Sequence, residues 1–484
     1  MSLNLEPKQV FDWFYKINQI PRESGHEEEI SNFLVDFAKK RNLEVIQDEE
    51  YNVIIKKKAS EGYENSKPVI IQGHMDMVCV KEDNSKHDFR KDPIKMIVDG
   101  DFLRADGTTL GGDDGIAVAY ALAILDGDYK HPALEVLITT NEETGMQGAA
   151  NIKEGTLVGE RLINIDSEEE GVFLSGCAGG VMAETTFDIE EEKNDLKDAM
   201  KISVSGLKGG HSGMMIKYQR ANAIKVMFRI INQIRKYTDV KISSILGGIK
   251  HNAIPDFATT EIAVLDYDKA EEVARKIIQE IKDEYKVQDE NLRVEIVKCK
   301  IETVFTKELT NRLIDYFLIV KDQVVMMSND VENLVQTSLN NAILKREGSK
   351  MLLLTSIRSS VESQLDMMIE NIENADRKRL EKLARTIDFQ FELKNRYPAW
   401  QFERESQIRD IALSTYKEIF GKEAKIDLIH AGLECGLLKK VLSDCDMISY
   451  GPFMYDVHSP REKISISSAK RMWDFTVKLL ENLK

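Results

Sequence analysis

The chain has 484 residues, with 66 Lys and Arg against 82 Asp and Glu, so its formal net charge is −16. A hydrophobic fraction of 42% and a charged fraction of 31% supply both a buried core and a solvated surface, which excludes disordered and fibrous proteins. The length predicts two or three domains. The acidic balance argues against nucleic acid or an anionic membrane as a partner and favours chemistry on a small molecule.

Several features predict a cytoplasmic protein. The first thirty residues carry charges and no apolar run before a cleavage site, so no secretion signal is expected. The longest apolar stretch, 116–125, is about half of the ~20 residues that a membrane-spanning helix needs. The five scattered cysteines contain no C-x-x-C pair, so neither a disulfide framework nor a thiolate zinc site is expected. We expect Cys435 to be a small buried thiol and not a nucleophile.

Strands and helices alternate in the first part of the chain. Apolar residues at helical spacing predict a helix over 27–41, for which Ser24 and Glu27 would form a capping box. Three short apolar strands are predicted over 69–71, 134–140 and 162–165. The apolar stretch over 116–125 predicts a buried helix between the first two strands, and this order predicts a parallel sheet covered on both faces.

Ionisable side chains follow each of these strands where the strand ends. The segments are QGHMDMV after the first strand, NEETG after the second and DSEEEG after the third. Sites in open α/β sheets form outside the carboxyl ends of the strands. The sequence therefore predicts that the three segments share one crevice.

The pattern changes near residue 201 to alternating strands and amphipathic helices, which is typical of an α+β domain. The earlier style returns near the C-terminus, with a helix over 406–420, a strand over 426–429 and a final helix over 467–483. We therefore predict an α/β domain with a mostly parallel sheet, formed by residues 1–185 and 396–484. An inserted α+β domain over 186–395 interrupts it.

Imidazole and carboxylate side chains suited to metal binding occur in five separate segments. They are His74 and Asp76 in HMD, Asp113 in GGDDG, Glu142 and Glu143 in NEETG, Asp166 in NID and His458 in VHSPRE. Such ligands without thiolate suit Zn²⁺, Mn²⁺ or Co²⁺. Two ions about 3.5–4 Å apart need a bridging carboxylate and further ligands on each side, and this inventory is sufficient. His458 can take part only if the chain folds back.

Eight motifs follow one another over almost the whole chain: QGHMDMV, LGGDDGIA, NEETG, NIDSEE, GGHSG, HNAIP, HAGLECG and VHSPRE. Each is weak alone, but the ordered set resembles the aminoacyl-histidine dipeptidase branch of the peptidase M20 family. The resemblance implies a catalytic domain with two metal ions, interrupted by a lid domain of the kind that also forms dimers. It implies a metallodipeptidase that hydrolyses short peptides, including Xaa-His dipeptides.

The resemblance also assigns the metal ligands. One ion would be bound by His74, Asp113 and Asp166, and the other by Asp113, Glu143 and His458. Asp113 would be the bridge, because the family motif places the bridging carboxylate before a position where Asn is common and where this chain has Asp114. Zn²⁺ is the expected metal, with Mn²⁺ and Co²⁺ as alternatives.

Two further carboxylates receive roles in the chemistry. The resemblance makes Glu142 the general base, which would take a proton from a metal-activated water and return it to the leaving amine. Asp76 lies two residues after His74, so in an extended backbone both side chains lie on one face. Asp76 would then hold the second ring nitrogen of His74 and fix its tautomer.

The resemblance places the remaining functional residues in and near the lid. His211 in GGHSG corresponds to the histidine that stabilises the developing oxyanion. Asn252 and Arg358 correspond to peptide contacts, with Arg358 as a bidentate partner for a terminal carboxylate. Gly432 lies in the loop 431–436, whose glycines allow close backbone approach to the same pocket.

Ordinary structural roles compete with some of these assignments. The acidic runs 27–29, 168–170 and 190–192 are expected to be solvated faces. His211 could cap a turn, and Arg358 could form an ordinary salt bridge. We expect structural roles for His26, His87, His131 and His251, whereas His430, beside AGLECG, is the histidine to examine for contact with the site.

Alternative functions remain open at this level. An N-acyl amino acid deacylase, an aminopeptidase or a tripeptidase would keep the same fold and metals, because neither determines the acyl group. A non-catalytic binding protein is disfavoured because all the ligands and the base are present. The expected partner is a small peptide, with a homodimer possible.

Overall fold

The computed structural model describes residues 3–382 and 389–484. Contacts within the chain divide it into two compact units. The first consists of Met1–Cys177, Phe402–Leu428 and Leu433–Lys484, and the second of Ala178–Gln401 and Ile429–Gly432. The roles of catalytic domain and lid, which the sequence assigns to a discontinuous and an inserted segment, stay predictions.

The elements of the two units follow in chain order. The first unit begins with α1 (Lys8–Ile17), α2 (Glu28–Lys39), β1 (Glu44–Gln47), β2 (Val53–Lys57), β3 (Val69–His74), β4 (Met96–Asp99), β5 (Phe102–Ala105), α3 (Gly112–Asp126), β6 (Leu134–Thr139), α4 (Gln147–Ala150), β7 (Arg161–Asn164) and β8 (Val172–Cys177). The second unit contains β9 (Gly179–Asp188), β10 (Glu191–Lys193), β11 (Asp198–Ser205), α5 (Ala223–Arg235), β12 (Val240–Gly247), β13 (Ala258–Val264), α6 (Tyr267–Glu284), β14 (Arg293–Lys298), β15 (Thr303–Phe305), α7 (Lys307–Ile319), β16 (Gln323–Met327), β17 (Val335–Glu347), β18 (Lys350–Ser359), α8 (Glu362–Lys382) and β19 (Phe389–Tyr397). The chain then continues with α9 (Gln407–Phe420), β20 (Lys425–Ile429), α10 (Glu434–Val441), β21 (Asp446–Ser449), β22 (Met454–Tyr455), β23 (Lys463–Ser465) and α11 (Ile466–Asn482).

The main sheet of the first unit has eight strands in the order β1-β2-β6-β3-β7-β21-β8-β20. Its four central strands, β6, β3, β7 and β21, are parallel. The β1–β2, β2–β6 and β21–β8 pairs are antiparallel. The predicted α/β architecture is confirmed, with four parallel strands at the centre of the sheet.

The register of the central strands brings their carboxyl ends to one edge. His74, the last residue of β3, pairs with Thr139, the last residue of β6. Gln72 of β3 pairs with Asn164, the last residue of β7. Because parallel strands end together, the polar segments that follow all three strands leave the sheet at the same edge.

Helix α3 is the buried helix that the apolar stretch predicts. Every residue from 114 to 125 is buried, so the helix is apolar on all sides. Tyr120 packs edge-on against Trp473 of α11, at 5.5 Å between ring centroids. Helices α3 and α11 thus share one core with the central strands.

The second unit is built on a separate sheet in the order β14-β11-β13-β12-β17-β18-β9-β19, with β16 paired to β17. Its core contains the apolar faces of α5, α6 and α7 and residues of β11, β12 and β13. Phe228 of α5 and Phe317 of α7 stack at 4.0 Å between centroids. Among the described residues, no helix of either unit is long and apolar enough to cross a membrane.

One predicted local feature is wrong. Ser24 and Glu27 do not form a capping box for α2, whose N-cap residue, Glu27, makes no side-chain capping bond. Instead, Ser24 Oγ donates to Asp76 Oδ2 at 2.7 Å, and Glu27 Oε1 accepts the backbone N–H of Gly25 at 2.9 Å. The tertiary contact with Asp76 replaces the local cap.

Phe173 of β8 is the centre of an aromatic cluster in the first unit. Its ring contacts Tyr416, Tyr450 and Phe475 at centroid distances of 5.6, 5.6 and 5.2 Å, and it is fully buried.

Replacing Phe173 by Ala is expected to lower the free energy of unfolding by about 3–5 kcal/mol, because a large cavity remains. Urea denaturation followed by near-UV circular dichroism measures this loss. Phe173→Leu, which keeps most of the volume, should lose less, and equal stability of Phe173→Ala and the parent would contradict the assignment.

Candidate metal centre

The predicted metal ligands project from one edge of the main sheet. His74 ends β3, Asp113 lies in the first turn of α3, and Asp166 follows β7. Glu143 lies in the turn after β6, and His458 lies in the loop between β22 and β23. The chain therefore folds back as His458 requires, and all five side chains belong to the first unit.

The first cluster surrounds the ring of His74. Its Nε2 lies 3.2 Å from Asp113 Oδ1 and 3.6 Å from Asp166 Oδ1. One ligand atom from each of the three residues lies within 4.8 Å of the others. This is the arrangement that a metal ion with one imidazole and two carboxylates requires.

The second cluster shares Asp113 with the first. His458 Nε2 lies 3.2 Å from Asp113 Oδ2 and 2.9 Å from Glu143 Oε1. The two oxygens of Asp113 thus face different imidazoles, as a carboxylate between two cations would. The two clusters are the same two ligand sets that the sequence assigns to two ions.

Asp114 has a different environment from Asp113. Its Oδ2 accepts the backbone N–H of His74 at 3.3 Å, and its Oδ1 has no hydrogen-bond partner within residues 3–382 and 389–484. Burial and the charge of Asp166 raise the pKa of Asp114 well above its ordinary value. Of the two aspartates, Asp113 is the one whose carboxylate oxygens face both imidazoles.

Asp76 organises the opposite side of His74. His74 Nδ1 lies 3.2 Å from the backbone oxygen of Asp76 and 3.3 Å from its Oδ1. The Asp76 carboxylate also accepts the backbone N–H groups of Glu142 at 3.1 Å and Glu143 at 3.2 Å. One buried carboxylate thus orients the imidazole and the turn that carries both glutamates.

Two charged residues that sequence reasoning did not assign hold the loop before Asp113. Glu462 is buried and accepts the N–H groups of Leu110, Gly111, Gly112 and Asp113, at 2.7, 3.1, 2.6 and 3.4 Å. Arg22 Nη2 donates to the Gly111 oxygen at 2.5 Å, and Nη1 donates to the oxygens of Met75 and Asp76 at 2.9 and 3.2 Å.

The close approach of Arg22 explains why position 111 is a glycine. Its φ of +68° lies in the left-handed region, and a Cβ there would be 2.3 Å from Arg22 Nη2. Glu462 was detectable as the last residue of VHSPRE, whereas nothing near Arg22 in the sequence signals its role.

The carboxylates of the site repel one another. Burial, together with repulsion from Asp166, Glu143 and Glu434, raises the pKa of Glu142 well above its ordinary value, although His74 opposes this. Burial raises the pKa of Asp166 to about 7. For His74, burial lowers the pKa, but hydrogen bonds to Asp113, Asp166 and Asp76 outweigh this effect and raise it well above the usual value. The site thus favours added positive charge.

The second unit contains the residues predicted for the lid. His211 Nδ1 accepts the N–H groups of Gly213 and Met214, both at 3.2 Å. The neutral ring therefore carries its proton on Nε2, which makes that atom a hydrogen-bond donor. Burial and the charge of Arg358 lower the pKa of His211 to about 4, so the ring is neutral near pH 7.

The remaining lid residues are found around the same part of the second unit. The backbone oxygen of Asn252 accepts the N–H of Ser212, the residue after His211, at 2.8 Å. Arg358 Nη1 donates to the Tyr397 hydroxyl at 2.7 Å and pairs with no carboxylate among the described residues. Gly432 is half-buried in the segment Ile429–Gly432.

His430, which the sequence marked for examination, is buried in the second unit. Its Nε2 lies 2.8 Å from Ser338 Oγ, and Ser338 is directly opposite Arg358 across the β17–β18 pair. Burial and the charge of Arg358 lower the pKa of His430 to about 3. The imidazole is therefore a neutral neighbour of the proposed carboxylate-binding arginine.

The acidic runs are only partly solvated faces. Glu28, Glu29, Glu168 and Glu169 are exposed as predicted. Glu27, however, is buried and accepts the N–H of Asn141 at 3.0 Å, and Glu170 is buried against Arg471 at 2.6 Å. The expectation is wrong for these two residues because each forms a long-range contact that composition does not reveal.

Cys435 is buried as predicted, and burial raises the pKa of its thiol well above the usual value.

Comparison with known proteins agrees with this geometry. Residues 70–482 match the peptidase family M20/M25/M40. The cytosol non-specific dipeptidase of Escherichia coli (strain K12) is 34% identical over 484 residues, covering 99% of this chain and 98% of that protein. The crystal structure of aminoacylhistidine dipeptidase from Vibrio alginolyticus superposes with a TM-score of 0.92 at 36% identity, over 99% of this chain and 98% of that one.

A more distant structure shares the fold alone. Aminopeptidase PepT from Bacillus cereus ATCC 10987 superposes with a TM-score of 0.57 at 14% identity, over 99% of each chain. Together, the sheet edge, the clustered ligands and these matches define a hydrolase that acts on peptide bonds. The chain belongs to the peptidase M20/M25/M40 family, which confirms the resemblance seen in its motifs.

Replacing Glu462 tests whether the loop before Asp113 depends on this carboxylate. Glu462→Ala leaves buried N–H groups without an acceptor, so Asp113 should shift and metal affinity should fall about 10–100-fold. Isothermal titration of metal-free protein with Zn²⁺ measures the affinity. Arg461→Ala, at the exposed neighbouring position, is the control and should bind like the parent; unchanged affinity in Glu462→Ala would contradict the assignment.

Proposed function

We propose that this protein is a cytoplasmic dipeptidase that uses two divalent metal ions to hydrolyse free dipeptides, including Xaa-His dipeptides. The observation that carries the proposal is the shared carboxylate of Asp113, which faces the His74 cluster with one oxygen and the His458 cluster with the other. The names of the two similar proteins, a cytosol non-specific dipeptidase and an aminoacylhistidine dipeptidase, support the choice of substrate.

The donor set fits divalent cations that accept nitrogen and oxygen ligands. His74, Asp113 and Asp166 would hold one ion, and Asp113, Glu143 and His458 the other. Zn²⁺ is the proposed metal, with Mn²⁺ and Co²⁺ as alternatives, because imidazole and carboxylate suit all three. Bound ions would supply the positive charge that makes a water acidic and polarises the scissile carbonyl.

Glu142 is the proposed general base. Its carboxylate belongs to neither of the two ligand sets, yet an oxygen of it lies within 4.8 Å of ligand atoms of His74 and Glu143. Glu142 would take a proton from the attacking water and deliver it to the leaving amine. Asp76 acts through its neighbours, by fixing the His74 ring and the backbone of the Glu142 turn.

The second unit is the proposed lid, and it would supply the contacts to the peptide. The Nε2–H of His211 would donate to the oxygen on which negative charge develops. Arg358 would bind the terminal carboxylate, with Asn252 and the backbone at Gly432 as further contacts. A second copy of the chain, bound through this unit, is the proposed assembly.

A substrate panel separates the proposed function from its alternatives. We expect metal-free protein refilled with Zn²⁺, Mn²⁺ or Co²⁺ to hydrolyse unblocked dipeptides, with slower turnover of tripeptides and of N-acetyl amino acids. Ninhydrin detection of the released amino acids measures all three classes. Preference for N-acetyl substrates would identify a deacylase, and preference for tripeptides would identify a tripeptidase or aminopeptidase.

Removal of the proposed base should separate chemistry from metal binding. Glu142→Gln is expected to lower kcat for a dipeptide by about 10²–10⁴-fold, since an amide cannot accept the proton. Its metal content, measured by plasma mass spectrometry, should stay at the parent's value because Glu142 is outside both ligand sets. Full hydrolysis by Glu142→Gln would contradict the role of general base.

The charge and shape of Arg358 should determine recognition of the free carboxyl terminus. Arg358→Lys keeps the charge but loses the planar fork, so KM for a free dipeptide should rise about tenfold with a smaller rise for the dipeptide amide. Initial rates on both substrates give the comparison. Arg346→Lys, which changes an exposed arginine paired with Glu191, is the matched control and should leave both values unchanged. Equal increases for both substrates would show that Arg358 does not bind the carboxylate.

A further inference from the structure

A chain of buried polar side chains crosses the central strands immediately below the metal ligands. It contains Thr139 of β6, Gln72 of β3, Asn164 of β7 and Ser449 of β21, and it ends at Glu434, the first residue of α10. All five are completely buried and belong to the first unit. Since buried polar groups are costly unless they are paired, this layer requires an explanation beyond packing.

The hydrogen bonds of this chain run in one direction. Ser449 Oγ donates to Asn164 Oδ1 at 2.5 Å, and Asn164 Nδ2 donates to Gln72 Oε1 at 2.6 Å. Gln72 Nε2 then donates to Glu434 Oε2 at 2.5 Å, which also accepts the hydroxyl of Thr139 at 2.7 Å. Glu434 is therefore the acceptor at which the chain ends.

Three of the four strand residues in this hydrogen-bond chain lie close to a proposed metal ligand. Gln72 is two residues before His74, and Thr139 pairs with His74 across the β3–β6 register. Asn164 is two residues before Asp166, whose backbone N–H it accepts at 3.3 Å. The direction of the amide groups of Gln72 and Asn164 thus influences where both ligands leave the sheet.

We propose that Glu434 is a positioning residue for the metal centre, because it fixes the direction of the hydrogen-bond chain that aligns the strand ends bearing His74 and Asp166. The inference rests on the metal centre of the proposed function. Glu434 Oε2 accepts both bonds whether the carboxyl is ionised or carries a proton on Oε1, so the role does not depend on its charge. Without this acceptor, Gln72 Nε2 keeps only its longer bond to Thr139 Oγ1, at 3.3 Å, so the direction of the Gln72 amide is held less firmly.

The same sheet offers a matched comparison. Glu135 is also buried and accepts the N–H groups of Val158 and Gly159, both at 2.8 Å, at the end of β6 opposite Thr139. Replacing Glu135 by Ala removes a buried acceptor that makes no bond to the hydrogen-bond chain ending at Glu434. Any effect common to both glutamates reports loss of a buried carboxyl, whereas an effect specific to Glu434 reports alignment of the ligands.

The experiment measures metal affinity in the full-length protein by competition between metal-free protein and a chromophoric chelator for Zn²⁺, without substrate. Glu434→Ala is expected to weaken Zn²⁺ binding about 10–100-fold, the range typical for residues that orient ligands. Glu434→Gln should stay within about threefold of the parent, because its amide oxygen accepts the same two bonds. Glu135→Ala should lose thermal stability and keep the parent's affinity.

The measured affinities decide whether Glu434 positions the metal ligands. Parental affinity in Glu434→Ala, or equal loss in Glu135→Ala, would overturn the proposal. If Glu434→Ala fails to fold, Glu434→Gln and Gln72→Leu replace it: the first should retain affinity and the second should lose it, and the opposite order would overturn the proposal. A parent protein that binds no Zn²⁺, Mn²⁺ or Co²⁺ would instead contradict the proposed function itself.

Discussion

The crowding of carboxylates at one sheet edge is the constraint on which the rest of the structure depends. Asp76, Asp113, Asp114, Asp166 and Glu434 are buried or nearly so beside one another, with Glu142 and Glu143 at the rim. Burial of several like charges is unfavourable unless positive charge balances them. Two histidines and Arg22 supply only part of that balance, which is why a pair of divalent cations is the counter-charge that we propose for the first unit.

Neutral hydrogen-bond donors of the surrounding backbone and side chains stabilise some of these buried carboxylates. Glu462 accepts four consecutive backbone N–H groups, and Asp76 accepts two more together with the Ser24 hydroxyl. Arg22 ties three backbone oxygens from two loops with one buried guanidinium. The N–H and hydroxyl donors orient the carboxylates of Glu462 and Asp76 without neutralising them, which leaves the charge of the site available for metal ions and for proton transfer.

Much of the fold and of the site followed from the sequence, and the physical reasons are local. The apolar run of α3 and the polar segments after β3, β6 and β7 are contiguous in sequence, so periodicity and strand ends reveal them. The order of the motifs along the sequence also predicted that His458 joins the site, although no periodicity connects it to His74. The antiparallel strand pairs of the main sheet, the contact between Ser24 and Asp76, and the buried roles of Arg22, Glu27 and Glu434 depend on residues far apart in sequence. No local pattern encodes those contacts. The peptide-binding role of the residues predicted for the lid stays a prediction for the same reason.

The most direct test of the account is a crystal structure of the Zn²⁺-loaded protein with anomalous diffraction recorded at the zinc absorption edge. The account predicts two peaks about 3.5–4 Å apart, bridged by the Asp113 carboxylate, with His74 and Asp166 on one and Glu143 and His458 on the other. A single peak, or two peaks that do not share Asp113, would contradict it.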